Sequence, residues 1–167
     1  VESTMHITRA MELVSSSKFK KAFDTFEKGR CYFDLLNETF EEISAYVKES
    51  PFFSERGNDK KIVIVISGDR GLVGGFNNNL YKLAEDLIKS EGEHKIFPFG
   101  KKAFDHYKNY NGSELREGFE ICDKITPEKI KELSVMLSKR FLNGEINEVY
   151  VVYTKYLTML SQEAECQ

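Results

Sequence analysis

The stretch from Thr4 to about Lys48 constrains the fold more than any other part of the sequence. It contains no proline, and Gly29 is its only glycine, so no strong helix terminator occurs before Ser50 and Pro51. A single helix of about 45 residues would be about 65–70 Å long, whereas a compact chain of this size has a radius of gyration of about 15 Å. We therefore predict one long helix that projects beyond its domain.

Apolar or small side chains recur along this stretch at the alternating steps of three and four residues that are typical of a coiled coil. They are Phe19, Ala22, Phe26, Gly29, Phe33, Leu36, Phe40, Ile43 and Val47. A second stripe, Ile7, Met11 and Val14, precedes them, and both stripes fit one helix that changes face. An apolar stripe is costly in water, so it predicts a partner helix from another chain or from a part of this protein outside the sequence. Without that partner, self-association of the chain is expected. The alternative is a break near Gly29 into two helices that fold back on each other, because glycine has a weak helix propensity.

Charge is unevenly distributed along the predicted helix. Residues 5–30 carry a local sum of +3, whereas residues 31–50 carry a local sum of −4. The first half, which includes Arg9 and Lys18, therefore suits an acidic partner surface. The alternative interpretation is a mixed-charge helix face that is only solvated.

The rest of the chain alternates between strand and helix patterns. The β-branched run Ile62–Ile66 is typical of a strand buried on both faces, and further strands are predicted at 95–99 and 149–153. An extended stretch is expected around 119–122, and helices are expected from about 80, from 101 and from 126. This order predicts an α/β body with an open, mostly parallel sheet and flanking helices.

The predicted organisation has three parts. Residues 1–50 form the long coiled-coil helix, residues 51–60 form a linker, and residues 61–167 form a Rossmann-like α/β body. Both ends are expected to be internal cuts in a longer protein.

A glycine-rich loop follows the first predicted strand and invites a nucleotide-binding interpretation, because such a loop can present backbone N–H groups to phosphate. Its glycines, Gly68, Gly71 and Gly74, have the spacing GxxGxxG rather than GxGxxG, and GxxxxGK[ST] does not occur. The residues therefore favour an interaction or mechanical module with a coiled-coil arm. A Rossmann-like nucleotide-dependent enzyme and a coiled-coil scaffold module remain the alternatives.

Composition excludes several function classes. The net charge of −3, with 24 Lys and Arg against 27 Asp and Glu, excludes a broadly basic nucleic-acid binder. Three scattered cysteines and three histidines form neither CxxC nor HExxH, so no metal site, catalytic site or cofactor is predicted. No apolar run is long enough for a transmembrane helix.

Two motifs are more specific than any single glycine pattern. Residues 7–18, ITRAMELVSSSK, resemble the ITKAMxMVAASK signature of the gamma-subunit family of rotary F-type ATP synthases. Residues 67–77, SGDRGLVGGFN, resemble the S-x-DRGLCG-[AG]-x-N loop of the same family. Residues 149–156, with Ser161 and Gln162, are similar to the family's strand before its second long helix. The resemblance covers essentially the whole chain in the correct order.

The resemblance implies a noncatalytic central-stalk rotor subunit that couples ion flow across a membrane to ATP synthesis or hydrolysis. It implies that the first helix pairs with a C-terminal helix, absent here, inside a ring of alpha and beta subunits. The resemblance further implies that the beta subunits carry out the ATP chemistry. It also implies contacts with the epsilon subunit and the c-subunit ring, no direct small-molecule substrate, and a peripheral location on the cytoplasmic face of the bacterial inner membrane. The coupled ion, H⁺ or Na⁺, stays open.

The resemblance also implies candidate partner-contact residues. Arg9 and Lys18 lie in the helical motif, and Asp69, Arg70 and Gly71 lie in the loop motif. Contact with acidic, moving regions of the beta subunits is expected, and it is expected to be strongest for Arg70.

Overall fold

The computed structural model describes residues 2–47, 49–53, 57, 60–89, 92–158 and 160–167. The chain divides into two compact units, Val1–Ser54 and Glu55–Gln167, and each unit is described by itself.

The first unit consists mainly of helix α1, Glu2–Ser44, which is 43 residues long. It is continuous through Gly29, so the alternative of two helices broken at that glycine is wrong. The backbone N–H groups of Tyr46 and Val47 both donate to the Ile43 carbonyl, so the last turn closes there. The predicted end at Lys48 lies outside the described residues. A short 3-10 turn, Pro51–Phe53, follows.

The second unit contains one sheet of four strands in the order β2-β1-β3-β4. The elements are β1 Lys60–Ile66, α2 Phe76–Ile88, β2 Glu93–Phe99, α3 Lys101–Tyr107, α4 Pro127–Leu142, β3 Glu148–Thr158 and β4 Ser161–Cys166. β1 is parallel to both β2 and β3, and β4 is antiparallel to β3. The predicted open, mostly parallel sheet with flanking helices and a long N-terminal helix is therefore confirmed.

Two details of the prediction are wrong. The stretch around 119–122 is not a strand; Phe119 is a buried core residue, and Cys122–Lys124 forms a 3-10 turn. Strand β4 was not predicted, because its sequence SQEAEC is polar and only its pairing with β3 makes it extended.

The alternating side chains of β1 contribute to two apolar clusters, as expected for a strand that is buried on both faces. Val63 and Val65 pack with residues of α2 and α3, among them Leu80 and Ala103. On the alternate positions, Ile62 and Ile64 pack with Phe97, Phe99, Phe119, Leu133 and Ile146. In α4, Thr126 caps the first turn by accepting from the Lys129 N–H, and Pro127 follows it, as the sequence predicted. In the part of the chain that the structure describes, no helix combines the length and apolar character needed to span a bilayer.

Candidate partner-contact loop

The loop between β1 and α2, residues 67–75, is called the glycine loop here. Its base is fixed where three elements meet. The Ser67 N–H donates to the Phe99 carbonyl at 2.9 Å, and the Ser67 hydroxyl accepts from the Ala103 N–H at 2.7 Å. Gly100, between β2 and α3, has a φ of 86°, and a Cβ there would clash with the Ser67 carbonyl oxygen. The start of the loop is therefore held by the C-terminal end of β2 and by the first turn of α3.

Asp69 ties the glycine loop to the rest of the body. Its Oδ1 accepts from the backbone N–H of Lys101 at 3.0 Å and from that of Cys122 at 3.0 Å. The Cys122 thiol donates to the Ser67 carbonyl at 3.2 Å. Burial, assisted by the nearby Asp69 carboxylate, raises the pKa of this thiol to about 11, so it stays protonated and able to donate near neutral pH. The Asp69 carboxylate is therefore engaged in hydrogen bonds within the chain.

Asn77, in the first turn of α2, completes the support of the loop. It is buried, and its Oδ1 accepts from the Gly68 N–H at 3.0 Å, while the Gly68 carbonyl accepts from the Lys102 N–H. The sequence alone did not distinguish Asn77 from the two asparagines that follow it. The signal that could have singled out Asn77 is its place in the first turn, which points a short amide back at the loop.

Arg70 and Gly71 lie at the exposed part of the loop. Among the described residues, no hydrogen bond or ion pair engages the Arg70 side chain. A Cβ at Gly71 would lie 3.5 Å from the Lys102 Cε, so the Lys102 stem runs beside the loop. The exposed Lys101 is adjacent in sequence. The glycine loop therefore presents one exposed arginine, and the Lys102 side chain runs beside the next residue, Gly71.

The tip of the loop is apolar. Leu72 is fully exposed and has a φ of 60°, and it is the one non-glycine residue with positive φ in the described part of the chain. Val73 is 45% exposed. Gly74, with a φ of 59°, follows in the same backbone region, where glycine has no steric penalty.

A shallow groove of about 600 Å³ lies beside the loop and is lined by residues of the loop, α2 and α3. In it the His106 ring stacks on the Tyr81 ring, with centroids 4.0 Å apart. Lys102 and Asp105 also line it, so it carries both signs of charge. No group of His, Cys, Asp and Glu among the described residues is arranged to hold a metal ion.

The other two candidates, Arg9 and Lys18, are exposed residues of α1. They belong to the first unit, whereas Asp69, Arg70 and Gly71 belong to the second. The structure therefore brings the three loop candidates together in one segment.

A second charged cluster in the body was not found by sequence reasoning. Glu114 accepts a hydrogen bond from Arg140 at 2.9 Å, and its carboxylate also lies 3.4 Å from the Lys95 Nζ and 3.7 Å from an Arg116 nitrogen. Burial alone would raise the pKa of Glu114, but the hydrogen bond and charge of Arg140, together with Lys95, outweigh it and hold that pKa below its usual value. The arginines also lie over the Phe97 ring, at 5.1 and 5.8 Å from its centroid. The cluster joins β2 to α4 and has no sequence motif.

Comparison with known proteins decides the family. The family model described as ATP synthase matches residues 1–167, and curated relatives over nearly the whole chain are ATP synthase gamma chains. The chain belongs to the ATP synthase gamma-chain family. The gamma chain of Acetobacterium woodii, described as sodium ion specific, is 35% identical over 170 residues, which are 99% of this chain and 55% of that protein. The gamma chain of Fusobacterium nucleatum is 35% identical over 176 residues, covering all of this chain and 61% of that protein.

The fold has a match among solved structures as well. A chain in the central stalk and c-ring structure of the Tetrahymena thermophila mitochondrial ATP synthase superposes with a TM-score of 0.69 at 17% identity, covering 96% of this chain and 70% of that chain. At this identity the likeness shows the fold alone. The chain spans 55% of the length of the Acetobacterium woodii gamma chain and 61% of that of Fusobacterium nucleatum. The family predicted from residues 7–18 and 67–77 is thus confirmed.

Proposed function

We propose that the chain is a noncatalytic part of the central-stalk rotor of an F-type ATP synthase. In this role it couples ion flow through the membrane sector to ATP synthesis or hydrolysis in the catalytic ring. The observation that carries the proposal is the family match over residues 1–167, which includes both α1 and the glycine loop. The chain itself then performs no ATP chemistry.

The partners in this proposal are the alpha and beta subunits of the catalytic ring, the epsilon subunit and the c-subunit ring. The location is peripheral, on the cytoplasmic face of the bacterial inner membrane. No nucleic acid and no small-molecule substrate takes part. Helix α1 supports the assignment of a protein partner, because large apolar side chains are exposed at intervals from Met5 to Ile43.

The contacts to the ring are assigned to Arg9 and Lys18 on α1 and to Arg70 and Gly71 on the glycine loop. Arg70 is the strongest candidate, since it is an exposed cation on this loop. Asp69 belongs to the same segment, and its carboxylate fixes the position from which Arg70 projects. Acidic, moving regions of the beta subunits are the complementary surface.

The experiment that tests this assignment is Arg70→Ala, with Lys131→Ala on α4 as a control that removes another exposed cation. The Arg70 variant should leave the melting temperature of the chain nearly unchanged, because Arg70 is exposed and no hydrogen bond or ion pair among the described residues engages its side chain. In the assembled complex it should alter the ATPase rate or ion pumping, and the effect should weaken as salt screens the pair. A large loss of stability combined with normal coupling would show that Arg70 is structural.

In the alternative, a nucleotide-dependent enzyme, the glycine loop would bind the phosphates of a nucleotide. The loop lacks the lysine and the hydroxyl of a P-loop. The Oδ1 of Asn77, in the first turn of α2, already accepts a hydrogen bond from the Gly68 N–H. Calorimetric titration of the chain with ATP, ADP and NAD should therefore give no heat of binding. A micromolar site would favour the enzyme.

A further inference from the structure

Leu72 is held in a backbone conformation that does not suit it. A left-handed φ of 60° brings the Cβ of an L-residue close to the following carbonyl, and a bulky side chain rarely adopts it. The side chain gains nothing in return within the described chain, because it is fully exposed. A loop selected only for stability would place glycine there, as it does two residues later at Gly74. Strain of this kind clusters where a residue serves binding or catalysis.

The strain is held in place by a rigid base. The bonds of Ser67, Asp69 and Asn77 fix the strand end, the first turn of the loop and its return into α2. The leucine therefore projects from a supported loop, and little conformational entropy is lost when a partner covers it. Val73, which is also partly exposed, extends the apolar surface beside it.

We propose that Leu72 is an apolar anchor that inserts into an apolar pocket, bordered by carboxylates, on the catalytic ring. This inference rests on the proposed function and adds to it a hydrophobic contact that is separate from the Arg70 ion pair. The charges near the tip indicate the border of the pocket. Arg70 is exposed two residues before the leucine, and Lys102 lines the same groove as Leu72. The Asp69 carboxylate, by contrast, already accepts from two backbone N–H groups. Asp105, at the groove beside the loop, is the one opposing charge among the groove-lining residues named for it. An apolar centre with a charged rim is the usual anatomy of a protein interface.

The test separates strain from contact by changing Leu72 to asparagine. Asparagine tolerates the left-handed region but offers no apolar contact. We expect Leu72→Asn to raise the melting temperature of the chain by about 2–4 °C, the shift that follows relief of roughly one such strain in a chain of this size. In the assembled ATP synthase the same variant should slow ATP-driven ion transport about five-fold, the size typical of removing one anchoring contact. That loss should be equal at low and high salt.

Leu160→Asn is the matched control, because Leu160 is 99% exposed in the turn between β3 and β4 and is not among the residues with positive φ. It should change neither the melting temperature nor ion transport. If Leu72→Asn raises the melting temperature but leaves transport normal, Leu72 is not an anchor. If it leaves the melting temperature unchanged, the strain argument is wrong. A transport loss that disappears at high salt would assign the effect to the cations instead of Leu72. A transport loss with Leu72→Asn but none with Arg70→Ala would overturn the Arg70 ion pair, while the Leu72 anchor would stand.

Discussion

The two units use the same kinds of side chain in opposite ways. Phe97 of β2 is 1% exposed, whereas Phe26 of α1 is 55% exposed. From Met5 to Ser44 no side chain of α1 is buried, although its apolar residues repeat as regularly as those of a core helix. Periodicity therefore shows which face of an element is apolar, while the surface that covers this face must come from elsewhere in the chain or from a partner. The body contains its own covering surfaces, whereas we propose that a partner covers the helix.

The largest effect is expected in the body. Phe97→Ala would leave a cavity between β2 and the Ile62–Ile64 face, and it would also remove the ring over which Arg116 and Arg140 lie. The free energy of unfolding should fall by about 3–5 kcal/mol, measured by urea unfolding followed by circular dichroism. A loss below about 1 kcal/mol would show that this face is not a packed core.

The corresponding Phe→Ala substitution on α1 provides the contrast with the body. Phe26→Ala should change the unfolding free energy of the body by less than about 0.5 kcal/mol, as expected for a surface site. It should instead weaken the proposed self-association of the chain through the α1 stripe, measured by sedimentation over a range of concentrations. A strict monomer before substitution, with a continuous helix, would contradict the partner-surface interpretation of α1.

An effect smaller than that of Phe97→Ala is expected within the glycine loop, where neighbouring charged residues differ in role. Asp69→Ala would leave the N–H groups of Lys101 and Cys122 without their acceptor, and it should lower the unfolding free energy by about 1–3 kcal/mol. Asp69→Asn keeps one acceptor oxygen and should lose less. Thermal melts of both variants beside Arg70→Ala provide the check. Equal melting temperatures for Asp69→Ala and Arg70→Ala would contradict the division of roles.

The smallest effect concerns pH. Because the folded-state pKa of Glu114 is lowered by Arg140 and Lys95 against the opposing effect of burial, its pairing stabilises the fold above the ordinary carboxyl pKa. That stabilisation is lost as the pH falls through the lowered folded-state pKa. Glu114→Gln should therefore flatten the decline in unfolding free energy between about pH 5 and pH 3. Identical pH profiles for the parent and variant chains would show that this cluster does not stabilise the body.

The sequence predicted those features that are set by local pattern. Helix α1, strand β1 and the Thr126 cap each carry their own signal. Strand β4 does not, because a polar segment becomes extended only through its pairing with β3. The family motif located the glycine loop, but it did not distinguish Asp69, whose partners lie 32 and 53 residues away in sequence, from the exposed Arg70. The left-handed conformation of Leu72 had no signal either, since leucine is a residue that this conformation disfavours.

The proposed function requires that the α/β body turns with the rotor while the partner subunits carry out catalysis. The most direct measurement immobilises the catalytic ring of the assembled complex, attaches a bead to the α/β body of the intact subunit, and records the bead under ATP. We predict that the body rotates relative to the ring while ATP is hydrolysed. Continued ATP hydrolysis with the body stationary, its attachment to the intact complex having been verified, would contradict the account.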